Sequence, residues 1–174
     1  PGLHHTGSLP TRNFSAGAFE GWSNITGEAM NGSILVDSDN CHVCPVRCKR
    51  VVALEEPYKL ERHYGGPEYE AIGAFGSNCG VDDLKAIAAA NQLCNANGLD
   101  AISTGNVIAF AMECFERGLI SAADAGGMRL TFGNGDAMVK TVELIIARSG
   151  LGDTLAEGVK RAAAKIGGNA ADFA

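Results

Sequence analysis

The sequence predicts a mainly α fold, a multi-helix domain carrying one small β-hairpin. Three observations lead there. Beyond residue 82, apolar residues recur at helical spacing in four stretches bounded by polar capping residues or glycine. Before residue 80, glycine and proline interrupt every period. Within that broken part, Arg50-Val51-Val52-Ala53-Leu54 has strand character. The chain is therefore expected to divide into a loop-rich segment, 1–80, with a cysteine loop and the hairpin, and a helical segment, 81–174.

Residues 1–32 read as loop with short turns. His4 and His5 are neighbours whose side chains point apart on an extended chain, which suits solvated histidines better than paired ligands. Thr11-Arg12-Asn13-Phe14 is polar, then aromatic, and a lone arginine there is expected at the surface. Residues 33–39 lead into the cysteine loop as a short strand or helix. Residues 50–54 should form a strand, Glu55-Glu56-Pro57-Tyr58 a turn, and 59–64 the partner strand, stopped by Gly65-Gly66-Pro67. The first long helix should open at Asp82 or Asp83 and run to about Ala96, with Leu84, Ile87, Ala88, Asn91 and Cys94 on one face and Gly98 as its left-handed stop. The second is capped by Ser103 or Thr104 and reaches about Arg117 on a Val107, Ile108, Ala111, Cys114, Phe115 stripe. Residues 119–134 are loop, with a possible short strand at 129–132. A third helix spans 136–148, and a fourth spans 153–166 on Leu155, Val159, Ala162 and Ile166, with Lys160, Arg161 and Lys165 facing water.

Composition narrows the function. Of 174 residues 46% are apolar, enough for one good domain or two small ones. A net charge of −6 argues against nucleic acid as the main partner. The sequence holds no apolar run of the roughly 18 residues that a membrane span needs. Six cysteines without a secretory signal point to a reducing compartment, the cytoplasm, and to metal chemistry over disulfides.

The chemistry concentrates in Asn40-Cys41-His42-Val43-Cys44-Pro45-Val46-Arg47-Cys48. Three thiols fall within eight residues at C-x2-C-x3-C spacing. A Cys41–Cys44 disulfide would leave Cys48 over. A structural zinc site needs four ligands, and no second CxxC exists; His63 is the nearest outside candidate. An iron–sulfur cluster takes three thiolates from one loop and a fourth from elsewhere. Spacing alone leaves all three open. Glu68 and Glu70 precede the apolar stretch 71–75. A carboxylate entering apolar surroundings has a raised pKa and suits acid–base work, although acids also simply favour a helix N-terminus. Cys79 is a further ligand candidate or a small residue in a tight turn, and Cys94 belongs with the core. Asn95-Ala96-Asn97-Gly98-Leu99-Asp100 makes a helix–helix corner offering backbone donors and a carboxylate, which suits a heterocycle or phosphate; the plain alternative is an ordinary corner.

Five motifs stand in series: the cysteine loop, Gly66-Pro67-Glu68-Tyr69-Glu70, Gly76-Ser77-Asn78, Gly98-Leu99-Asp100 running into Ile102-Ser103-Thr104-Gly105, and Leu155-Ala156-Glu157-Gly158-Val159-Lys160-Arg161. Together with Leu9-Pro10-Thr11-Arg12-Asn13-Phe14, this series resembles the aldehyde ferredoxin oxidoreductase family, tungsten or molybdenum bis-pterin enzymes, along essentially the whole chain. The resemblance implies the helical domains of that fold. It also implies oxidation of aldehydes to carboxylic acids at the metal, with electrons passing through a [4Fe–4S] cluster to ferredoxin. By resemblance Cys41, Cys44 and Cys48 are cluster ligands. The family's D-x-x-G-L-D pterin motif falls on Asn95, Gly98, Leu99 and Asp100, with Asn where the family has Asp first. Glu70, ahead of Glu68, is the expected proton-transfer residue. The family's N-terminal β-rich part and the later segment with a second pterin motif and the fourth cluster cysteine are not matched. The chain is thus expected to be one portion of a longer enzyme, inactive alone; a further alternative is that the portion binds no cofactor by itself, and exposed apolar faces would then favour self-association. The substrate and the choice of metal stay open. The competing expectation is a zinc- or cluster-binding interaction module without catalysis.

Overall fold

Eight α-helices and one two-stranded antiparallel sheet form the chain, which the computed structural model describes from Pro1 to Ala174. The mainly α expectation holds. In order the elements are α1 (Gly2–His5), α2 (Gly27–Asn31), β1 (Leu35–Asp39), β2 (Lys49–Val52), α3 (Tyr69–Phe75), α4 (Leu84–Asn97), α5 (Ala101–Glu116), α6 (Gly135–Ala147), α7 (Leu151–Leu155) and α8 (Val159–Ile166).

The long helices start where a side-chain oxygen meets an unpaired backbone N–H. The Asp83 side chain accepts from the Lys85 N–H at 2.8 Å to open α4, and Asn134 accepts from the Ala137 N–H at 3.1 Å to open α6. α4 ends at Gly98 with φ 68°, as its sequence predicts. Helix α5 begins earlier than expected. Asp100, rather than Ser103 or Thr104, is the cap, because its carboxylate accepts from the Ser103 N–H at 2.6 Å.

Two expectations are corrected. The predicted fourth helix is broken in two, since Gly158 sits at φ 82° and ends the helical path between α7 and α8. The hairpin is also relocated. β2 pairs with β1, in the register Ser38↔Arg50 and Asp39↔Lys49, while residues 59–64 contribute only the isolated bridge Leu54↔Leu60 and then coil into a 3-10 turn, Arg62–Tyr64. The cysteine loop is therefore the connection of the hairpin itself. Of residues 33–39, Leu35–Asp39 form strand, no strand forms at 129–132, and the first 32 residues hold short helices.

One hydrophobic cluster of 36 buried residues draws on both halves of the chain. Phe19, Met30, Ile34 and Phe75 from the first part meet Ile108, Phe110, Met112, Met138 and Leu155 from the second, all at most 2% exposed. Full burial of each such side chain contributes about 1.5–3 kcal/mol. Helix α3 packs on α5, α4 on α6, and α6 on α7. The α3–α5 approach is close enough that a methyl group at Gly105 would stand 2.6 Å from the Ala74 Cβ.

The Thr11–Phe14 and Gly76–Asn78 stretches form a latch against each other. Arg12, Asn13 and Phe14 are three consecutive left-handed residues, with φ 47°, 51° and 62°. Their N–H groups donate to the Ser77 carbonyl at 3.1 Å, the Asn78 carbonyl at 3.0 Å and the Asn78 Oδ1 at 3.0 Å. Asn13 Nδ2 reaches on to Glu113 Oε2 at 2.7 Å and the Phe173 carbonyl at 2.9 Å. Such a backbone persists only when its surroundings over-determine it, and here they do.

Candidate functional site

The cysteine loop bulges from the hairpin into solvent. Cys41 and Cys48 are exposed and Cys44 half-buried, and all three are free thiols. The Cys44 N–H donates to the Cys41 carbonyl at 3.0 Å, and Asn40 Nδ2 donates to the Cys44 carbonyl at 2.9 Å, so the loop is shaped by its own backbone. Val43 and Arg47 have φ 61° and 55°, and Val43 at such an angle is a conformational outlier for a β-branched residue. The donor set suits a cluster: three free thiols on one exposed loop anchored by a strand at each end. The thiols do not converge, however, and no three His, Cys, Asp or Glu side chains stand together as a metal site. His63 is not drawn toward the loop; its Nδ1 lies 3.5 Å from Glu61.

The remaining cysteines have the opposite surroundings. Cys79, Cys94 and Cys114 are completely buried. The Cys79 thiol faces the Ala74 carbonyl at 3.3 Å and the Gly105 carbonyl at 3.5 Å, which makes it a small residue in a tight turn. Burial pushes the Cys79 thiol far up, and lifts Cys94 and Cys114 to about 11 from the ordinary 9.0.

Strand β2 carries the cysteine loop toward the acidic start of α3. Arg50, two residues beyond Cys48, forms an ion pair with Glu68. The Gly66 N–H donates to the Arg50 carbonyl at 2.8 Å, and only a glycine fits there, since a Cβ would lie 2.8 Å from Val52 Cγ1. Glu68 is the N-cap residue of α3 and Glu70 lies in its first turn. Both are exposed, which corrects the expectation that they enter apolar surroundings: the buried residues of α3 are Ala71, Ala74 and Phe75, on the other side of the helix.

A second bridge ties this segment to the helix corner. Asn95 Nδ2 donates to the Tyr64 carbonyl at 3.0 Å, and Gln92 at the same end of α4 bonds the Lys59 carbonyl and the Glu61 N–H at 2.9 and 2.7 Å. At the corner, the Ser103 N–H holds the Asp100 carboxyl below the usual carboxylate range. Asp100 thus serves as a helix cap while remaining exposed. Asn97, Leu99, Asp100 and Ser103 line a cavity of about 410 Å³ whose far side is Arg148, Leu155, Ala156 and Gly158. The Gly98-Leu99-Asp100 and Leu155-Ala156-Glu157-Gly158 motifs, more than fifty residues apart, therefore share one cavity. Arg148, the left-handed end of α6, pairs there with Asp153 at 3.1 Å and with Glu157.

Sequence reasoning missed two of these features, the bridging role of Arg50 and the cavity shared by the two motifs. Arg50 was visible as one of two basic residues behind Cys48, but its partner depends on the relocated hairpin.

The family model described as aldehyde ferredoxin oxidoreductase, domains 2 and 3, matches residues 1–174, and the chain belongs to that family. Its relatives include the tungsten-containing aldehyde ferredoxin oxidoreductase of Pyrococcus horikoshii, 41% identical over 169 residues, covering 95% of this chain and 27% of that protein. The protein of the same description from Thermococcus kodakarensis is 40% identical over 166 residues, again 95% and 27%. The aliphatic sulfonate oxidoreductase, WOR-like subunit, of Pyrococcus furiosus is 38% identical over 124 residues, covering 71% of this chain and 20% of that protein. Among solved structures, the active-site complex BamBC of benzoyl coenzyme A reductase, in complex with 1,5-dienoyl-CoA, superposes with a TM-score of 0.64 at 27% identity, covering 84% of this chain and 21% of that chain. The chain spans about a quarter of the length of the curated relatives it matches. No helix is long and apolar enough to cross a membrane.

Proposed function

We propose that this chain supplies the cluster loop and one pterin edge of an enzyme that oxidises aldehydes to carboxylic acids in the cytoplasm and delivers the electrons to ferredoxin. Cys41, Cys44 and Cys48 would hold a [4Fe–4S] cluster, with the fourth ligand from the rest of the protein. Asn95, Gly98, Leu99 and Asp100 would hold the edge of a tungsten (or molybdenum) bis-pterin; of the four, Leu99 and Asp100 line the corner cavity. When bound, the metal–pterin group accepts the two electrons of the oxidation and the cluster relays them singly.

The residues of this chain act around that group. In the overall change the water oxygen bonds to the aldehyde carbon, and the aldehyde C–H bond breaks with its two electrons passing toward ferredoxin and its hydrogen released as a proton to solvent. Glu70 takes the proton that water gives up as it attacks the carbonyl. Glu68 is held by Arg50 and is the less available of the two acids. Asp100, which caps α5, and the Ser103 hydroxyl both border the cavity and offer an acceptor and a donor to polar ligand atoms. The loop thiols, outside the core and free of disulfides, are accessible for assembly.

The observation that carries this reading is a pair of bridges between the motif-bearing segments. Arg50, two residues past Cys48, pairs with Glu68, and Asn95, near the end of α4 that leads into the corner, holds the Tyr64 carbonyl at 3.0 Å. A self-sufficient zinc module has no need of the second bridge. The test is metal and acid-labile sulfide analysis of the anaerobically purified full-length protein. Iron and sulfide in about equal amounts, with tungsten or molybdenum, are expected. Zinc at about one per chain without sulfide would overturn the reading.

A further inference from the structure

The C-terminal half of α4 holds the segment between the hairpin and α3 through two amide side chains. Gln92 is half-buried and Asn95 exposed. Gln92 Nε2 donates to the Lys59 carbonyl at 2.9 Å, and its Oε1 accepts from the Glu61 N–H at 2.7 Å. Asn95 Nδ2 donates to the Tyr64 carbonyl at 3.0 Å. The 3-10 turn Arg62–Tyr64 packs on both β2 and α4. It is thus the spacer between the strand that leaves the cysteine loop and the helix that leads into the corner.

The chemistry of these bonds restricts the residue types. A backbone carbonyl only accepts, so the atom facing the Lys59 and Tyr64 carbonyls must be a nitrogen. A carboxylate of the same shape has no proton to give and would set oxygen against oxygen. At neutral pH, Asn95 therefore cannot be exchanged for Asp without losing the tie, although the family motif opens with Asp. Asn95 is also absent from the wall of the corner cavity, to which Asn97, Leu99 and Asp100 belong. Its side chain serves the turn.

We infer that Gln92 and Asn95 are positioning residues: they clamp the turn that sets the spacing between the cysteine loop and the helix corner, and so the separation across which electrons pass. The assignment rests on the cluster and pterin reading above, in which Asn95 acts on the ligand edge through the segment it anchors. The charged groups around position 95 are engaged elsewhere. Lys49 pairs with Asp39 at 3.8 Å, Arg62 with Asp37 at 3.3 Å, Lys59 with Glu61 at 3.4 Å and Arg50 with Glu68, while His63 faces Glu61 at 3.5 Å. On α4 and its corner the charged residues are Lys85, at the far end, and the acid Asp100. A carboxyl introduced at 95 would then face the Tyr64 carbonyl without a free cation, and its neutral form would be favoured.

The experiment uses the full-length holoenzyme with Asn95→Asp and Asn95→Ala. Hydrogen exchange of the stretch 59–66 reads the clamp, and single-turnover reduction of the cluster by an aldehyde reads its function. At pH 7, Asn95→Asp should speed exchange about five-fold over wild type, and more than Asn95→Ala does, because a repelled carbonyl is worse placed than one left to water. As pH falls toward about 5, the excess in Asn95→Asp should shrink, since the protonated carboxyl can donate to Tyr64, while that in Asn95→Ala stays constant. A side chain needed only for packing would give the reverse order, with Asn95→Ala worse and no dependence on pH. Cluster reduction should slow about five-fold or more in Asn95→Asp at wild-type iron and sulfide content. Equal exchange in all three proteins, or the reverse order, would overturn the clamp. The expected exchange with an unchanged reduction rate would overturn its positioning role. A parent without iron and sulfide would refute the function proposed above together with that role, and the exchange order would still decide the clamp.

Discussion

The six cysteines fall into two environments, and the contrast separates what folds this chain from what it presents. Cys79, Cys94 and Cys114 sit on or beside helices whose apolar faces close over them, and their thiols are held neutral by burial. Cys41, Cys44 and Cys48 sit on a hairpin loop that buries almost nothing, with Val43 and Val46 turned outward at 83% and 70% exposure. The core cysteines behave as small hydrophobes. In the loop, a β-branched residue is held left-handed and apolar side chains are left in water, costs that packing within this chain does not offset. A residue type therefore says little by itself; whether the helical period claims it decides its role.

The largest expected effect breaks the loop side of the contrast. Cys44→Ser in the full-length protein should abolish cluster binding, and iron with sulfide at wild-type stoichiometry would remove Cys44 from the ligand set. Cys94→Ser, by comparison, should leave the cluster loaded. A stability experiment probes the core side. Phe110→Ala should cost about 3–5 kcal/mol, because Phe110 is fully buried in the central cluster. Val43→Gly should leave the cluster-free chain equally stable or about 1 kcal/mol more so by relieving the left-handed valine. Urea titrations of the two variants would measure both, and a Val43→Gly chain that unfolds as easily as Phe110→Ala would refute the view of the loop as uncoupled from the core.

Asp100 stands between the two regimes, as an exposed acid that caps a buried helix. Asp100→Ala should lose about 1 kcal/mol of stability together with pterin content, while Asp100→Asn keeps the cap and isolates the role of the charge. Full pterin content in Asp100→Ala would reduce Asp100 to a cap. The smallest effect concerns pH. The folded pKa of Cys94 is raised to about 11 from the ordinary 9.0, so its contribution to stability is complete below pH 9 and is lost as pH rises from 9 toward 11. Denaturation midpoints across that window should fall less steeply for Cys94→Ala than for wild type, and parallel slopes would contradict the assigned burial.

Much of the fold was legible because helices report themselves locally. Asp83 and Gly98 act where they stand, and the Val107, Ile108, Ala111 and Cys114 stripe of α5 is buried as its period requires. The hairpin was misplaced because strand pairing is non-local: residues 33–39 and 59–64 were both plausible partners for β2, and nothing within a few residues of either chooses between them. The split of the fourth helix turned on the φ of a single glycine, Gly158, which the surrounding helical stripe concealed.

The candidate site divides in the same way. The sequence alone determined which residues are candidates for the chemistry, since three thiols at tight spacing, an acid pair before an apolar stretch and an acid at a glycine-ended corner are local patterns with local causes. It also determined the family, because motif order along a chain is a one-dimensional property. Only the tertiary structure decided the company those residues keep. Glu68 met Arg50 because β2 pairs with β1, and the Gly98-Leu99-Asp100 corner met Ala156 and Gly158 because α6 folds back on α4. The physical reason is that local preferences act over a few residues, whereas burial of a shared apolar core sets which distant segments end up side by side.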